Sequence, residues 1–153
     1  MKNQRLTLSL SLFILFLIWN AGIYLEWVLD IFPSLAYLFP IAKQSYGIVC
    51  HQQNVKLIGE GALHSLVCSR CAGIYLGLLS SSLIYIFIII GNVRSNKILF
   101  LSAVPLFMDV ILYSIGVYNY SKTIAFITGW LLGSVGFIYL YSPLSTLFSN
   151  KDG

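Results

Sequence analysis

Leu66-Val67-Cys68-Ser69-Arg70-Cys71-Ala72-Gly73-Ile74-Tyr75-Leu76-Gly77 sets a Cys-x-x-Cys pair at the mouth of an apolar run that continues to Ile90. A run of that length and composition, ended by a polar turn, reads as a helix crossing a bilayer. Upstream stands Cys50-His51. These two places hold all three cysteines of the chain. The remainder reads as the membrane scaffold that carries them.

Of the 153 residues, 58% are hydrophobic and only 9% are charged, against about 25% charged in soluble domains. One water-facing core cannot hide that much apolar surface, so the chain belongs to the membrane class. The net charge of +4 is scattered. It leaves no nucleic-acid footprint and is better read as topology-setting charge. Ten tyrosines and three tryptophans are many for this length, and several flank apolar runs, where amphipathic rings suit bilayer interfaces.

Working outward, the sequence predicts an all-α, polytopic integral membrane four-helix bundle with one elaborated extramembrane loop, in a single membrane domain over residues 1–153. Leu6–Leu25 is almost uninterrupted apolar sequence. A cleaved signal peptide is its rival reading, but about 20 residues suit a bilayer of ~30 Å, and no small-x-small cleavage site precedes a polar start. The first helix is placed at 6–26, the loop at 30–66, and the later helices at 67–90, 97–117 and 122–141, the last stopped before Pro143. Ile31–Pro40 is apolar but too short to span, broken by Pro33 and Pro40; it reads as lying along the membrane surface or covering the bundle. Ile41–Val49 reads as one or two helical turns, and Gly59 and Gly61 as turn signals. The short turns Gly91–Asn96 and Tyr118–Ser121 predict antiparallel neighbours.

Charge bias sets the expected orientation. With the start of the chain inside, the inner side holds Lys2, Arg5, Arg94, Lys97 and Lys151, and the outer side Lys43, Lys56, Arg70 and Lys122. That favours N-in, C-in, with the cysteine-bearing loop extracytoplasmic and the protein in a bacterial inner membrane.

Cys68 and Cys71, three apart at a helix start, let two sulfurs converge on one tetrahedral ion. The same spacing suits a redox pair whose thiolate is stabilised by the helix N-terminus. Cys50 can return to them, because 17 residues between make a loop of ordinary zinc-site length. A fourth ligand has two candidates: His51, adjacent to Cys50, and His64. If the helix starts early, His64, Cys68 and Cys71 share one face. A c-type haem is disfavoured because Ala72 stands where that motif needs His, and an all-Cys iron–sulfur site lacks a fourth cysteine.

Cys50-His51-Gln52, the Cys68–Gly77 stretch and Pro105-Leu106-Phe107-Met108-Asp109 together resemble the signature of a bacterial membrane family, domain of unknown function 2085. Its pattern is a Cys-His-Gln, a Cys-x-Arg-Cys-x-Gly-Ile-Tyr-x-Gly and a later Pro-x-x-x-Asp. Thr128-Gly129 and Gly133 resemble its closing helix. The likeness covers roughly residues 45–137. Val110 stands where the family often has Gly, and the loop lacks a typical Arg-Ser pair. The resemblance implies sites rather than an activity.

Asp109 sits inside the third helix, where a carboxylate costs about 2.5–3.5 kcal/mol on insertion scales. An Arg70–Asp109 contact would tie that helix to the cysteine mouth. Asn20 is expected to bond across helices, and Glu26 to sit at the water boundary. Gly73-x-x-x-Gly77 and Gly129-x-x-x-Gly133 allow close helix approach, favouring intramolecular packing of the second and fourth helices over homodimerisation; Gly136 extends the stripe.

Three functions compete. The first is a small membrane protein with a structural or accessory zinc site at Cys50, His51, Cys68 and Cys71, with His64 as the alternative ligand, bound to lipid and to other membrane subunits. The second is a thiol–disulfide oxidoreductase using Cys68 and Cys71 with Cys50, with a quinone as its cofactor. The third is an oligomeric ion or solute pathway using Asp109.

Overall fold

The structure, a computed structural model, describes residues 2–60, 63–87 and 96–149. Among them are four helices long and apolar enough to cross a membrane, with spans Leu6–Ile23, Ser69–Phe87, Lys97–Ser114 and Lys122–Ser145. Helix α1 (Lys2–Ile23) is followed by α2 (Leu25–Ile31), a 3-10 helix over Pro33–Leu38, and α3 (Phe39–Val49). Pro33 and Pro40 open the latter two elements, where a missing N–H breaks no helical bond. They divide the segment without unwinding it, so α3 is three turns long instead of the expected one or two.

Next comes an antiparallel hairpin, β1 (Leu57–Glu60) and β2 (Leu63–Cys68), which the sequence reading missed. Gly59 makes it possible: its φ is +124°, and a Cβ there would collide with the Leu63 carbonyl oxygen. The expected turn residue Gly61 lies outside the described residues. So do the expected end of the second helix at 88–90 and most of the turn at Gly91–Asn96, including Arg94.

The long helices α4 (Ser69–Phe87), α5 (Asn96–Ser114) and α6 (Lys122–Ser149) complete the chain. The fold is mainly helical, with α4 and α6 as its central pair. They run parallel: Arg70 meets Gly129, Ile74 meets Gly133, and the Tyr85 ring lies 4.8 Å from that of Tyr141. Helix α1 runs antiparallel to both, with Trp19 against Tyr75 and Ser9 bonded to Tyr141 at 3.1 Å. Phe137, fully buried, packs against Phe16 and Tyr85 in the centre. Helix α5 packs along α6. Sequence neighbours α4 and α5 are therefore not the main packing pair; the glycine-lined approach of α4 to α6 takes that place.

That approach is tight. A Cβ at Gly73, Gly77, Gly129 or Gly133 would collide with backbone of the facing helix. Gly136, by contrast, has nothing within 4 Å of its Cβ position, so the stripe stops at Gly133. Gly133→Leu should cost about 3 kcal/mol through overpacking against Ile74, whereas Gly136→Leu should stay within about 0.5 kcal/mol. Thermal melting of the two variants in one detergent measures the contrast.

Two helix ends differ from expectation. Helix α6 does not stop at Pro143 but runs through it to Ser149. A proline removes one helical hydrogen bond, but in lipid an unwound end would strand several backbone groups. Helix α5 ends at Ser114 rather than 117. Gly116, at φ +74°, caps it: its amide donates to Tyr113 O (3.1 Å), and the Val117 amide to Leu112 O (3.0 Å). That paired pattern satisfies the last carbonyls. It also moves Asp109 from mid-helix toward one end.

Candidate metal or thiol centre

Three elements deliver one cysteine each. Cys50 caps the C-terminus of α3 in extended conformation. Cys68 is the last residue of β2, and Cys71 lies in the first turn of α4. Their sulfur atoms all lie within 4.8 Å of one another, and none is in a disulfide. The sharp turn from β2 into α4 creates this convergence, because strand and helix point the two residues of the Cys-x-x-Cys pair toward the same corner.

The electrostatics favour a thiolate at Cys68. The Cys68 backbone amide donates to Cys50 Sγ at 3.2 Å and so ties the end of α3 to β2. The Cys71 thiol donates to Cys68 Sγ and, with the amides of Cys71 and Arg70, pulls the Cys68 thiol down to about 5 against the opposing effect of burial. Such a pull is how soft-metal ligands and redox thiols are activated.

The corner is embedded in apolar side chains. Cys50 is buried with Ile23, Leu25, Tyr46, Leu66, Val67 and Ala72. The Tyr46 hydroxyl donates to Trp19 O at 2.6 Å, and burial pushes its own ionisation up to about 12, which keeps it a donor. Asn20 bridges helices by donating to Tyr75 O at 3.1 Å.

Gln52 holds the Cys50 corner in place, a role the sequence reading overlooked. It is the non-glycine residue with positive φ, +46°, among the described residues. Its side-chain amide donates to Leu66 O (2.9 Å) on β2 and Lys43 O (3.2 Å) on α3. The backbone strain, about 1–2 kcal/mol, is held by these two bonds. Gln52→Ala should therefore cost about 1–2 kcal/mol, and Gln52→Gly less, since glycine removes the strain. Denaturant unfolding of both variants reads the order.

The two histidines lie apart from the sulfur cluster. His51 is exposed beside Cys50. His64 is on β2, not on an extended α4, so the early helix start that would align it with Cys68 and Cys71 does not occur. Its backbone amide donates to Glu26 Oε2 at 2.5 Å, which makes Glu26 a clasp between α2 and the hairpin.

A second polar group adjoins the cysteines. Arg70 Nη2 donates to Asp109 Oδ2, and the Tyr118 hydroxyl donates to Asp109 Oδ1. The Asp109 side chain is 2% exposed and that of Arg70 20%. Ser69 Oγ donates to Lys56 O at 3.0 Å and shares a hydrogen bond with the Tyr120 hydroxyl. The Lys56 ammonium lies 4.8 Å from the Tyr113 ring and 5.5 Å from that of Tyr120. The 3-10 turn Asn54–Lys56 that leads into the hairpin, the head of α4 and the α5–α6 turn are thus fastened to one another beside the thiols.

The uncharacterized protein MJ1492 of Methanocaldococcus jannaschii is 30% identical to this chain over 100 residues, 62% of the chain and 63% of that protein. The chain thus spans less than two thirds of that relative, and the likeness reaches an archaeon as well as the bacterial family suggested by the motifs. No solved structure matches. A family model described as predicted membrane protein (DUF2085) matches residues 50–139, from the first cysteine into α6 and across both polar clusters. With its four apolar helices and this match over more than half its length, the chain belongs to the DUF2085 family of predicted membrane proteins.

Proposed function

We propose that Cys50, Cys68 and Cys71 hold a zinc ion that pins the loop to the membrane helices, in a small membrane protein with a binding or accessory role. The observation that carries this is the convergence of three sulfurs from three separate elements. Two thiolates on one tetrahedral zinc sit about 3.8 Å apart at bond lengths near 2.3 Å, so the corner needs to close by only about an ångström. The thiolate character of Cys68 suits a soft ion. His51, exposed beside Cys50, is the preferred fourth ligand, and His64 the second choice. Other membrane subunits are the partners such a role implies.

Elemental analysis and thiol counting on the same purified sample test this. One zinc per chain, with three thiols that become reactive on chelation, is the expected result.

The activated Cys68 also suits a second reading, thiol–disulfide exchange. Cys68 and Cys71 would form a disulfide, passing two electrons and two protons to a quinone and leaving a quinol. Zinc-free protein with a reversible Cys68–Cys71 disulfide and an exchangeable quinone would replace the zinc reading by this one. A pathway through Asp109 is less supported, because both its carboxylate oxygens are already engaged.

We place the loop outside and both termini inside, in a cytoplasmic membrane. The Lys/Arg bias of five against four is what favours this orientation.

A further inference from the structure

The segment from Ile31 to Val49 joins α1 to the cysteine corner, and its surface does not suit water. Lys43 is its one charged residue. Only a narrow stripe points inward: Leu35, Phe39, Ala42 and Tyr46 are partly or fully buried, leading to Cys50. Everything else is exposed, including Ile31 at 71%, Tyr37 at 69%, Ile41 at 64% and Ile48 at 84%. Ile41 and Ile48 are seven apart and Tyr37 four before Ile41, so on a helical path they lie on one outward band. Lys43, Gln44 and Ser45 are the polar residues of the exposed surface of α3.

The depth of this segment is set by α1. Tyr46 reaches Trp19 O, and its ring meets the Trp19 ring at 4.8 Å. Trp19 lies inside the span Leu6–Ile23, about one turn from its end. At Gly22, one turn along, a Cβ would collide with the Tyr46 hydroxyl. So α3 is clamped against the last turn of a bilayer-crossing helix, level with the end of its apolar stretch. On the same face of α1, one turn before Trp19 and Gly22, Leu15 and Ile18 are also exposed, so the band adjoins exposed apolar surface of a helix that crosses the bilayer.

We propose that the outward band of residues 31–49 is a lipid-binding surface, embedded at the headgroup–acyl boundary of the same bilayer that α1 crosses. Exposed apolar area of this extent marks a membrane or a protein partner. Continuity with the lipid-facing side of α1, and the near absence of charge, select the membrane. Lys43 then reaches toward headgroup phosphates from an apolar bed, and Tyr37 takes the boundary position favoured by its ring. The inward stripe ends at Cys50, so lipid lies on the far side of the helix that roofs the thiol corner. This surface stands whether the corner holds zinc or a disulfide.

The test uses p-benzoylphenylalanine in place of Tyr37 or Ile48 in the full chain, reconstituted in vesicles of phosphatidylcholine and phosphatidylglycerol. Both side chains are exposed, so the substitutions leave the packing intact. After irradiation, mass spectrometry should find phospholipid adducts at both positions, as strong as those from the same photoprobe at Phe107 on the exposed side of α5. Cross-links to a second copy would assign the band to self-association and overturn the proposal. Irradiation that leaves Tyr37 and Ile48 without lipid adducts while Phe107 is labelled would also overturn it, by placing the band in water.

Discussion

Asp109→Leu should destabilise the protein by about 3 kcal/mol, the lower end of the cost of removing one partner from a buried ion pair. The loss comes from Arg70, whose guanidinium would keep its burial and lose its carboxylate. Its Nε already has no hydrogen-bond partner in the described structure. The remaining 20% exposure lets the side chain lean toward the boundary, which keeps the cost from reaching the upper end. Tyr118 would lose its carboxylate acceptor as well and keep only the Asp109 carbonyl, at 3.4 Å. The double variant Arg70→Met, Asp109→Leu should recover most of the loss, since apolar replacements of a buried pair are often neutral. Thermal unfolding of the two single variants and the double variant measures the coupling. If Asp109→Leu melts with the parent protein, the pair holds nothing together.

On the proposed zinc reading, Cys68→Ser should weaken zinc binding by more than ~100-fold, since the loss of an outer-shell partner alone costs 10–100-fold. At zinc concentrations that saturate the parent protein, a 100-fold loss removes about 2.7 kcal/mol of metal-linked stability. Added zinc should therefore raise the melting temperature of the parent and leave that of Cys68→Ser unchanged. Cys50→Ser should lose zinc equally but act more locally. Its sulfur ties the end of α3 to β2, whereas α4 and α6 keep their glycine-lined contact without it. Helical circular dichroism should survive in both variants while protease sensitivity rises in the 50–66 loop. Retention of a full zinc equivalent in Cys68→Ser would exclude that sulfur as a ligand.

The helical class was legible because lipid imposes it. Runs such as Leu6–Ile23 and Lys122–Tyr141 must satisfy their backbone internally, and their composition announces them without reference to the rest of the chain. The glycine pairs were legible for a related reason: a missing Cβ at four-residue spacing has a direct packing meaning. Arg70 and Asp109 could be singled out one by one because each charge in an apolar run needs an explanation.

The hairpin over 57–68 was not legible. Gln52–Ser65 has no sustained alternation, and its strands are short and partly buried against α2 and α3. The signal that was there, Gly59 beside a bulge, gains meaning only once β1 and β2 are paired. Missing the hairpin mattered for the site. It put Cys68 at a strand end and took His64 off the face of α4. Gly116 was a readable stop signal for α5, and it places Asp109 near the end of that helix.

The sequence alone determined that the chain is a membrane protein and where its apolar helices lie, and it singled out the few residues whose chemistry needs explaining. Hydrophobicity and charge act locally, and each residue states them without help. Only the tertiary structure decided that a hairpin takes His64 off the face of α4, that Gln52 clamps the Cys50 corner, and that three sulfurs from a helix end, a strand end and a helix start share one place. Those facts depend on how distant segments approach, and the distance between two side chains is a property of neither one.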